Sequence, residues 1–299
     1  MPSPAKMHAD ELDIDAELVA GLVSDQFPRW AGLPVAWVDS AGTDNALHRL
    51  GDDMVVRLPR LPGAGDQVGF EQRWLPRLAP QLPLAVPEPL AAGEPGRGYG
   101  LPWGVYRWLE GDNAYDAPVT DLALAAVELG RFVAALRGLD ATGAPKSFRS
   151  GPLDDRDDYA NLAIRELGAD GTLDADRATA LWDETVRLPR WDGEPVWLHA
   201  DLLPGNLLTE HGRLTAVIDF GGLGTGDPSV DMLPAWTLFS GESRRLFREA
   251  AEVDDTTWER GRGWGLRFGL GAVHYYRGGK NPVLAEVGRR ALEGVLAAD

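Results

Sequence analysis

His199-Ala200-Asp201-Leu202-Leu203-Pro204-Gly205-Asn206 sets an aspartate and an asparagine five residues apart, and Asp219-Phe220-Gly221 begins thirteen residues after Asn206. These residue types suit in-line phosphoryl transfer from a nucleotide. One carboxylate receives or orients the proton of an attacking hydroxyl. An amide oxygen and a second carboxylate hold the magnesium that neutralises the phosphates. In that chemistry Asp201 is the base, and Asn206 and Asp219 are the Mg2+ ligands. Each motif follows an apolar run of β type, Val196-Trp197-Leu198 and Ala216-Val217-Ile218. The plainer alternative makes Asp201 and Asn206 turn residues and Asp219 a strand end, but turn chemistry alone does not demand this order and spacing. His199 is read as a structural hydrogen-bonder of the loop, since in-line phosphoryl transfer gives it no chemical step.

Phosphates also need a cation on the sheet that precedes such a loop. No lysine lies between Lys6 and Lys146, so the place falls to Arg57, at the end of Met54-Val55-Val56. Its guanidinium is always charged and presents a planar fork to phosphate oxygens. Glu71, fourteen residues on, is the carboxylate that would orient it. The alternative is an idle surface pair. Ser40 to Asn45, with Ser40, Gly42 and Thr43, is a candidate phosphate loop or an ordinary hairpin turn. Trp108 and Leu109 read as the segment that meets the adenine edge, with Trp108 either stacking or packing. Other phosphate motifs fail: Gly278-Gly279-Lys280 runs into Asn281, and no frame of Gly221 to Gly226 gives a dinucleotide fingerprint.

Together these residues resemble the aminoglycoside phosphotransferase family, a branch of the protein-kinase-like fold. Besides Trp197 to Asp231, the resemblance includes Val55 to Pro59, Glu71 with Trp74-Leu75, Trp103 to Gly111, and Asn281-Pro282-Val283-Leu284. It implies a two-lobed α+β fold, ATP or GTP as donor, Mg2+, and a hydroxyl of a small molecule as acceptor. An aminoglycoside-like or other amino-sugar acceptor is expected. A macrolide, or a primary metabolite such as a choline-like compound, a sugar or a hydroxy-amino acid, is the alternative. A nucleotide-binding pseudokinase is the reading from another class, and Arg57 in place of the usual lysine is its only support. Asp231 is similar to a family carboxylate that braces the catalytic loop; the alternative is a plain helix-start acid.

The elements that must position these groups fall into two parts. Leu18, Val19, Leu22 and Val23 have helical spacing. Val35–Val38, Ala46–Leu50 and Met54–Leu58 read as an antiparallel meander, followed by a helix over Gly69–Leu78 and strands near Leu90–Gly93 and Gly104–Trp108. After Gly111 the pattern turns helical: Val119–Leu136, Tyr159–Leu167, Asp174–Leu188, Val230–Phe239, Thr256–Tyr276 and Pro282–Leu296. Residues 1–111 are therefore expected to form an N-terminal lobe with a small antiparallel sheet, and 112–299 a larger, mainly helical lobe.

Composition narrows the class. The 299 residues suffice for two cores. With no cysteine, disulfides and thiolate chemistry are excluded, and the five histidines show no zinc motif. A net charge of −17 argues against a nucleic-acid partner. No apolar run spans a bilayer and Met1 to Asp15 is no signal peptide, so a cytoplasmic protein with no membrane partner is expected. The acidity suits a cationic acceptor or simply solubility. Asp154, Asp155, Asp157 and Asp158, and likewise Asp254 and Asp255, either bind amino groups or favour helix starts. Trp236, Trp258, Trp264, Phe268, Tyr275 and Tyr276 either line an apolar acceptor cavity or belong to the core.

Overall fold

Alternation of buried and half-exposed residues organises the first sheet. In the computed structural model, which describes residues 12–40, 44–61, 67–279 and 281–297, β1 (Val35–Val38), β2 (Asn45–Leu50) and β3 (Met54–Pro59) form a meander. With β4 (Pro89–Gly93) and β5 (Trp103–Arg107) they make an antiparallel sheet of order β1-β2-β3-β5-β4. Helix α1 (Ala16–Gln26) starts where the Asp15 side chain accepts the Leu18 N–H at 2.8 Å. It packs Val19, Leu22 and Val23 into a core with Ala46, Leu50, Val56, Leu58, Trp103 and Val105. Because successive side chains of a strand point to opposite faces, burial of Val56 and Leu58 turns Arg57 away from this core. Helix α2 (Gln67–Leu78) carries Glu71.

The chain divides into two compact units. One holds the chain up to Gln81 together with Ala85–Glu110; the other holds Leu82–Leu84 and the chain from Gly111 on. At Gly111 φ is +120°, and a Cβ would stand 2.9 Å from the Thr209 carbonyl oxygen, so only glycine fits this entry into the second unit.

The second unit contains β6 (Asp112–Asn113), α3 (Leu122–Arg137), α4 (Asp157–Ala169), α5 (Ala175–Val186) and β7 (Val196–Leu198). Then follow β8 (Leu207–Glu210), β9 (Arg213–Val217), β10 (Gly224–Gly226), α6 (Pro234–Thr237), α7 (Gly241–Ala251), α8 (Asp255–Tyr276) and α9 (Pro282–Leu296). Two small antiparallel sheets, β6-β8-β9 and β7-β10, hold the loops of interest. Trp182, Trp197, Phe132, Phe220, Phe239 and Phe247 are fully buried in this unit. Among the described residues no helix is long and apolar enough to cross a membrane.

Two elements depart from expectation. The helix expected over 230–239 is a 3-10 turn, Pro228–Met232, and then the short α6. Pro228 and Pro234 each restart the chain, because a proline has no N–H to continue a helix and disfavours helical geometry before it. Helix α7 was not expected. Its buried stripe is only Ser243, Phe247 and Ala251, too thin and too polar to register as periodicity.

Candidate active site

The loop after β7 is shaped by one buried carboxylate. Asp231 accepts the backbone N–H groups of His199 at 2.8 Å and Ala200 at 2.7 Å, one on each oxygen. It sits on the 3-10 turn, not on an α-helix as expected. These bonds hold Ala200 at φ +62°, a left-handed conformation that costs a residue with a Cβ roughly 1–2 kcal/mol. Burial pushes the Asp231 carboxyl up to about 7, against the pull of the two N–H groups.

His199 is fully buried and bonds at both nitrogens. Its Nδ1 accepts the Asp201 N–H at 3.2 Å, so Nε2 carries the proton and donates to the Ile218 carbonyl at 3.0 Å. Its ring meets Phe220 edge-on, with centroids 4.6 Å apart. Burial lowers its pKa to about 4, so it is neutral at pH 7. The ring thus ties the loop carrying Asp201 to the strand end before Asp219. The Ile218 N–H donates to the Asn206 carbonyl at 2.8 Å, a second tie. Asp219 itself lies at φ +61°.

Asp201 and Asn206 are brought together directly. The Asn206 amide nitrogen donates to the Asp201 carbonyl at 2.8 Å and to its carboxylate at 3.0 Å. Both bonds use the Asn206 amide nitrogen, not its amide oxygen. Among the described residues no three His, Cys, Asp or Glu side chains form a self-contained metal cage.

Arg149 is the residue sequence reasoning missed. Its guanidinium forms an ion pair with the other Asp201 oxygen. The segment that carries it is pinned to β10: the Ser147 N–H donates to the Thr225 carbonyl at 3.0 Å and the Ser147 hydroxyl to the Gly222 carbonyl at 2.7 Å. The glycine cluster exists for this approach. A Cβ on Gly224 would stand 2.5 Å from the Ser147 nitrogen, one on Gly226 2.1 Å from the Ser150 hydroxyl, and one on Gly222 2.8 Å from the His199 carbonyl. The density of glycines after Asp219 was a legible signal of close packing, but nothing in it named Arg149.

In the first unit the Arg57 Nη1 lies 3.3 and 3.2 Å from the two Glu71 oxygens. The Tyr106 hydroxyl donates to Glu71 at 2.5 Å, and Gln67 donates to it at 3.2 Å. The Arg57 guanidinium also lies 5.1 Å from the Tyr106 ring centroid. Glu71 is 1% exposed, so this pair is built into the fold rather than lying on the surface. The backbone N–H of Trp108 donates to the Asp53 carbonyl at 2.8 Å, and the Arg49 guanidinium covers the Trp108 ring at 4.0 Å. Leu109 follows, half-buried. Ser40 is half-buried, while Gly42 and Thr43 lie outside the described residues.

The acidic clusters are engaged elsewhere. Asp154 and Asp155 both pair with Arg190, Asp255 pairs with Arg248, and Asp254 caps α8 by accepting the Thr257 N–H at 2.6 Å. Asp227 is bonded by Arg260 at 2.8 Å. Most of the aromatic residues noted above are packed: Trp236 and Trp258 lie 5.0 Å apart in the core, and Phe268 packs with Leu203, Leu233 and Val287. Tyr275 is half exposed.

A sequence model of the phosphotransferase enzyme family matches residues 38–264. Comparison with curated proteins finds no match. Among solved structures, the GDP complex of wild-type aminoglycoside 2'-phosphotransferase-IIIa is similar at 22% identity and a TM-score of 0.70, covering 95% of this chain and 99% of that one. The GDP and kanamycin complex of APH(2")-IIia is similar at 21% identity and a TM-score of 0.69, covering 93% and 98%. The macrolide 2'-phosphotransferase MphH from Brachybacterium faecium is similar at 24% identity and a TM-score of 0.59, covering 93% and 97%.

Proposed function

The chain belongs to the phosphotransferase enzyme family, a family of small-molecule kinases, and from that premise we propose that it transfers the γ-phosphoryl group of ATP or GTP to a hydroxyl of a small molecule. The observation that carries this is the Asp201 carboxylate, held by the Asn206 amide on one oxygen and the Arg149 guanidinium on the other. A carboxylate fixed in that way is pre-oriented to take a hydroxyl proton. The acceptor oxygen bonds to the γ-phosphorus as the bond from phosphorus to the bridging oxygen breaks. The nucleoside diphosphate leaves, and the hydroxyl proton passes to Asp201. No second nucleophile is needed, so no phosphoenzyme forms.

Asn206, through its amide oxygen, and Asp219 would hold Mg2+, whose role is to neutralise the developing phosphate charge. Arg57, oriented by Glu71, would bind phosphate oxygens as a bidentate fork. Ser40, with the neighbouring Gly42 and Thr43, and the main chain at Trp108 and Leu109 would complete the nucleotide site. His199 and Asp231 would hold the loop geometry. GDP in two of the similar structures supports a nucleotide donor. Kanamycin in one supports an amino-sugar acceptor, and the macrolide phosphotransferase supports a bulkier alcohol.

The test is nucleotide consumption with ATP or GTP and Mg2+ over aminoglycosides, macrolides, sugars, hydroxy acids and amino alcohols. Wild type should turn over at least one acceptor, and Asp201→Asn should lower that rate roughly 100-fold or more. Asp219→Ala should abolish Mg2+-linked nucleotide binding in calorimetry. Equal turnover in Asp201→Asn would remove the proposed base.

A further inference from the structure

Arginine and aromatic residues alternate across the seam between α4 and α8 in a reciprocal pattern. Arg156 and Tyr159 are three residues apart at the start of α4, and Trp264 and Arg267 are three apart on α8. Arg156 lies over the Trp264 ring, 5.7 Å from its centroid, and Arg267 lies over the Tyr159 ring at 4.8 Å. Each helix therefore supplies one guanidinium and the aromatic face for the other's. The two cations share one small region, close enough that each repels the other.

Among the described residues neither cation is compensated by a carboxylate. The Nε of Arg156 and the Nε of Arg267 are both buried without a hydrogen-bond partner, and neither guanidinium has a carboxylate partner among the described residues. Burial and the neighbouring Arg156 both lower the Arg267 pKa. Both residues are half-buried, and two neighbouring cations held without an anion repel one another. Nearby acids are instead spent on other arginines, Asp154 and Asp155 on Arg190 and Glu166 on Arg277.

The seam adjoins the candidate catalytic loop. Trp264 packs against Leu198, Ala200 and Val230, so the ring under Arg156 touches the residues that lead into Asp201. Tyr159 is fixed in turn, since its hydroxyl donates to the His274 Nδ1 at 3.1 Å and the His274 Nε2 lies 2.9 Å from Glu166. Arg149, on Asp201 itself, is a further cation at this loop.

We propose that Arg156 and Arg267 form an anion subsite for the acceptor, so that the molecule phosphorylated carries a carboxylate or phosphate besides its reacting hydroxyl. Two forked guanidiniums on rigid aromatic faces suit either group, because both accept parallel N–H donors. The inference rests on the phosphotransferase reading above, and among the acceptors considered there it favours an anionic one over an amino sugar.

A matched set of sugars tests it: glucose, glucuronate, glucose 6-phosphate and glucosamine, each assayed for nucleotide consumption. Support is a kcat/KM for glucuronate or glucose 6-phosphate about tenfold or more above glucose. That preference should fall in Arg156→Gln and Arg267→Gln and partly return in the lysine variants. Whichever anion wins identifies carboxylate or phosphate. A preference for glucose or glucosamine overturns the inference. Should none be turned over, the arginine Nε–H resonances of the wild-type protein decide, titrated with acetate and with inorganic phosphate and assigned through the two glutamine variants. Saturable shifts of Arg156 and Arg267 in the millimolar range uphold the subsite; unmoved resonances reject it. Asp201→Asn keeps the two failures apart: acceptor turnover unchanged in that variant overturns the phosphotransferase mechanism, whereas Asp201-dependent turnover with no preference for anions overturns only the subsite.

Discussion

Arg149 meets the carboxylate of Asp201 from a segment that reaches it only because β10 is built of glycine and threonine. A charge-assisted contact of this kind restricts the carboxylate more than the Asn206 amide does alone. Arg149→Ala should therefore lower phosphoryl transfer by roughly 10- to 100-fold, the worth of one hydrogen bond to a charged group. Arg149→Lys should keep part of the rate. Steady-state kinetics on an accepted substrate check this, and an unimpaired Arg149→Ala would reduce the contact to a resting-state pair.

The same geometry predicts a remote effect. In Gly224→Ala the new methyl would stand 2.5 Å from the backbone nitrogen of Ser147. Backbone cannot rotate out of the way, so the segment must shift and carry Arg149 with it. The variant should lose about 1–3 kcal/mol of stability, as overpacked sites do, and should lose activity with it. Gly278→Ala is the control, because nothing lies within 4 Å of its Cβ position. Denaturant melts and rates of both variants, compared with wild type, decide the point.

His48 predicts the response to acid. It is fully buried on β2, edge-on to Trp37 with centroids 5.2 Å apart, and neither ring nitrogen has a hydrogen-bond partner. Burial lowers its pKa from 6.5 to about 4. As pH falls below 6.5 the unfolded chain takes up a proton that the folded chain refuses until about pH 4. Stability is lost across that window, by up to about 3 kcal/mol for this group. His199 acts with the same sign over the same window. Asp231, raised to about 7, acts in the opposite sense: the folded form gains its proton first as pH falls. His48→Phe keeps the aromatic contact and removes the unsatisfied nitrogens. It should stabilise the protein at pH 7 by about 1–2 kcal/mol and flatten the acid limb. Melts at pH 7, 6 and 5 would show a variant no better than wild type if the ring nitrogens cost nothing.

Much of the first unit was legible because its signals are local. The meander shows in the two-residue alternation of Ala46, His48 and Leu50, and in Gly51-Asp52-Asp53 between strands. The association of Arg57 with Glu71 could be read from a strand followed by a helix, and that of Asp201 with Asn206 from spacing alone. What could not be read depends on contacts between distant segments. Arg149 carries no motif, and its role comes from the packing of Ser147 against Gly222 and Gly224. The Arg156–Trp264 and Arg267–Tyr159 pairs cross between two helices, so neither helix reveals them. The acids were the reverse case: Asp154, Asp155 and Asp255 form eye-catching runs, yet arginines elsewhere in the chain absorb them.

Arg57 stands where the family resemblance leads one to expect lysine, and its surroundings predict how much that matters. Glu71 is 1% exposed and receives Arg57, Tyr106 and Gln67 together, so the guanidinium is aimed rather than loose. A pair of this kind can orient a cation toward phosphate, or it can merely brace α2 against the sheet. The variants separate the two. Arg57→Ala should raise the nucleotide KM and lower kcat/KM about tenfold or more, since it removes a charge-assisted phosphate contact. It should also destabilise the fold by about 3–5 kcal/mol, because Glu71 is left charged and buried. Arg57→Lys retains a point charge but loses the fork, so part of the activity and most of the stability should remain. Glu71→Ala should impair nucleotide use less than Arg57→Ala, because the cation survives. Kinetics and melts of the three variants test the assignment together. A loss of stability in Arg57→Ala with no change in the nucleotide KM would leave Arg57 as a brace, and the phosphate-binding cation would have to be sought elsewhere.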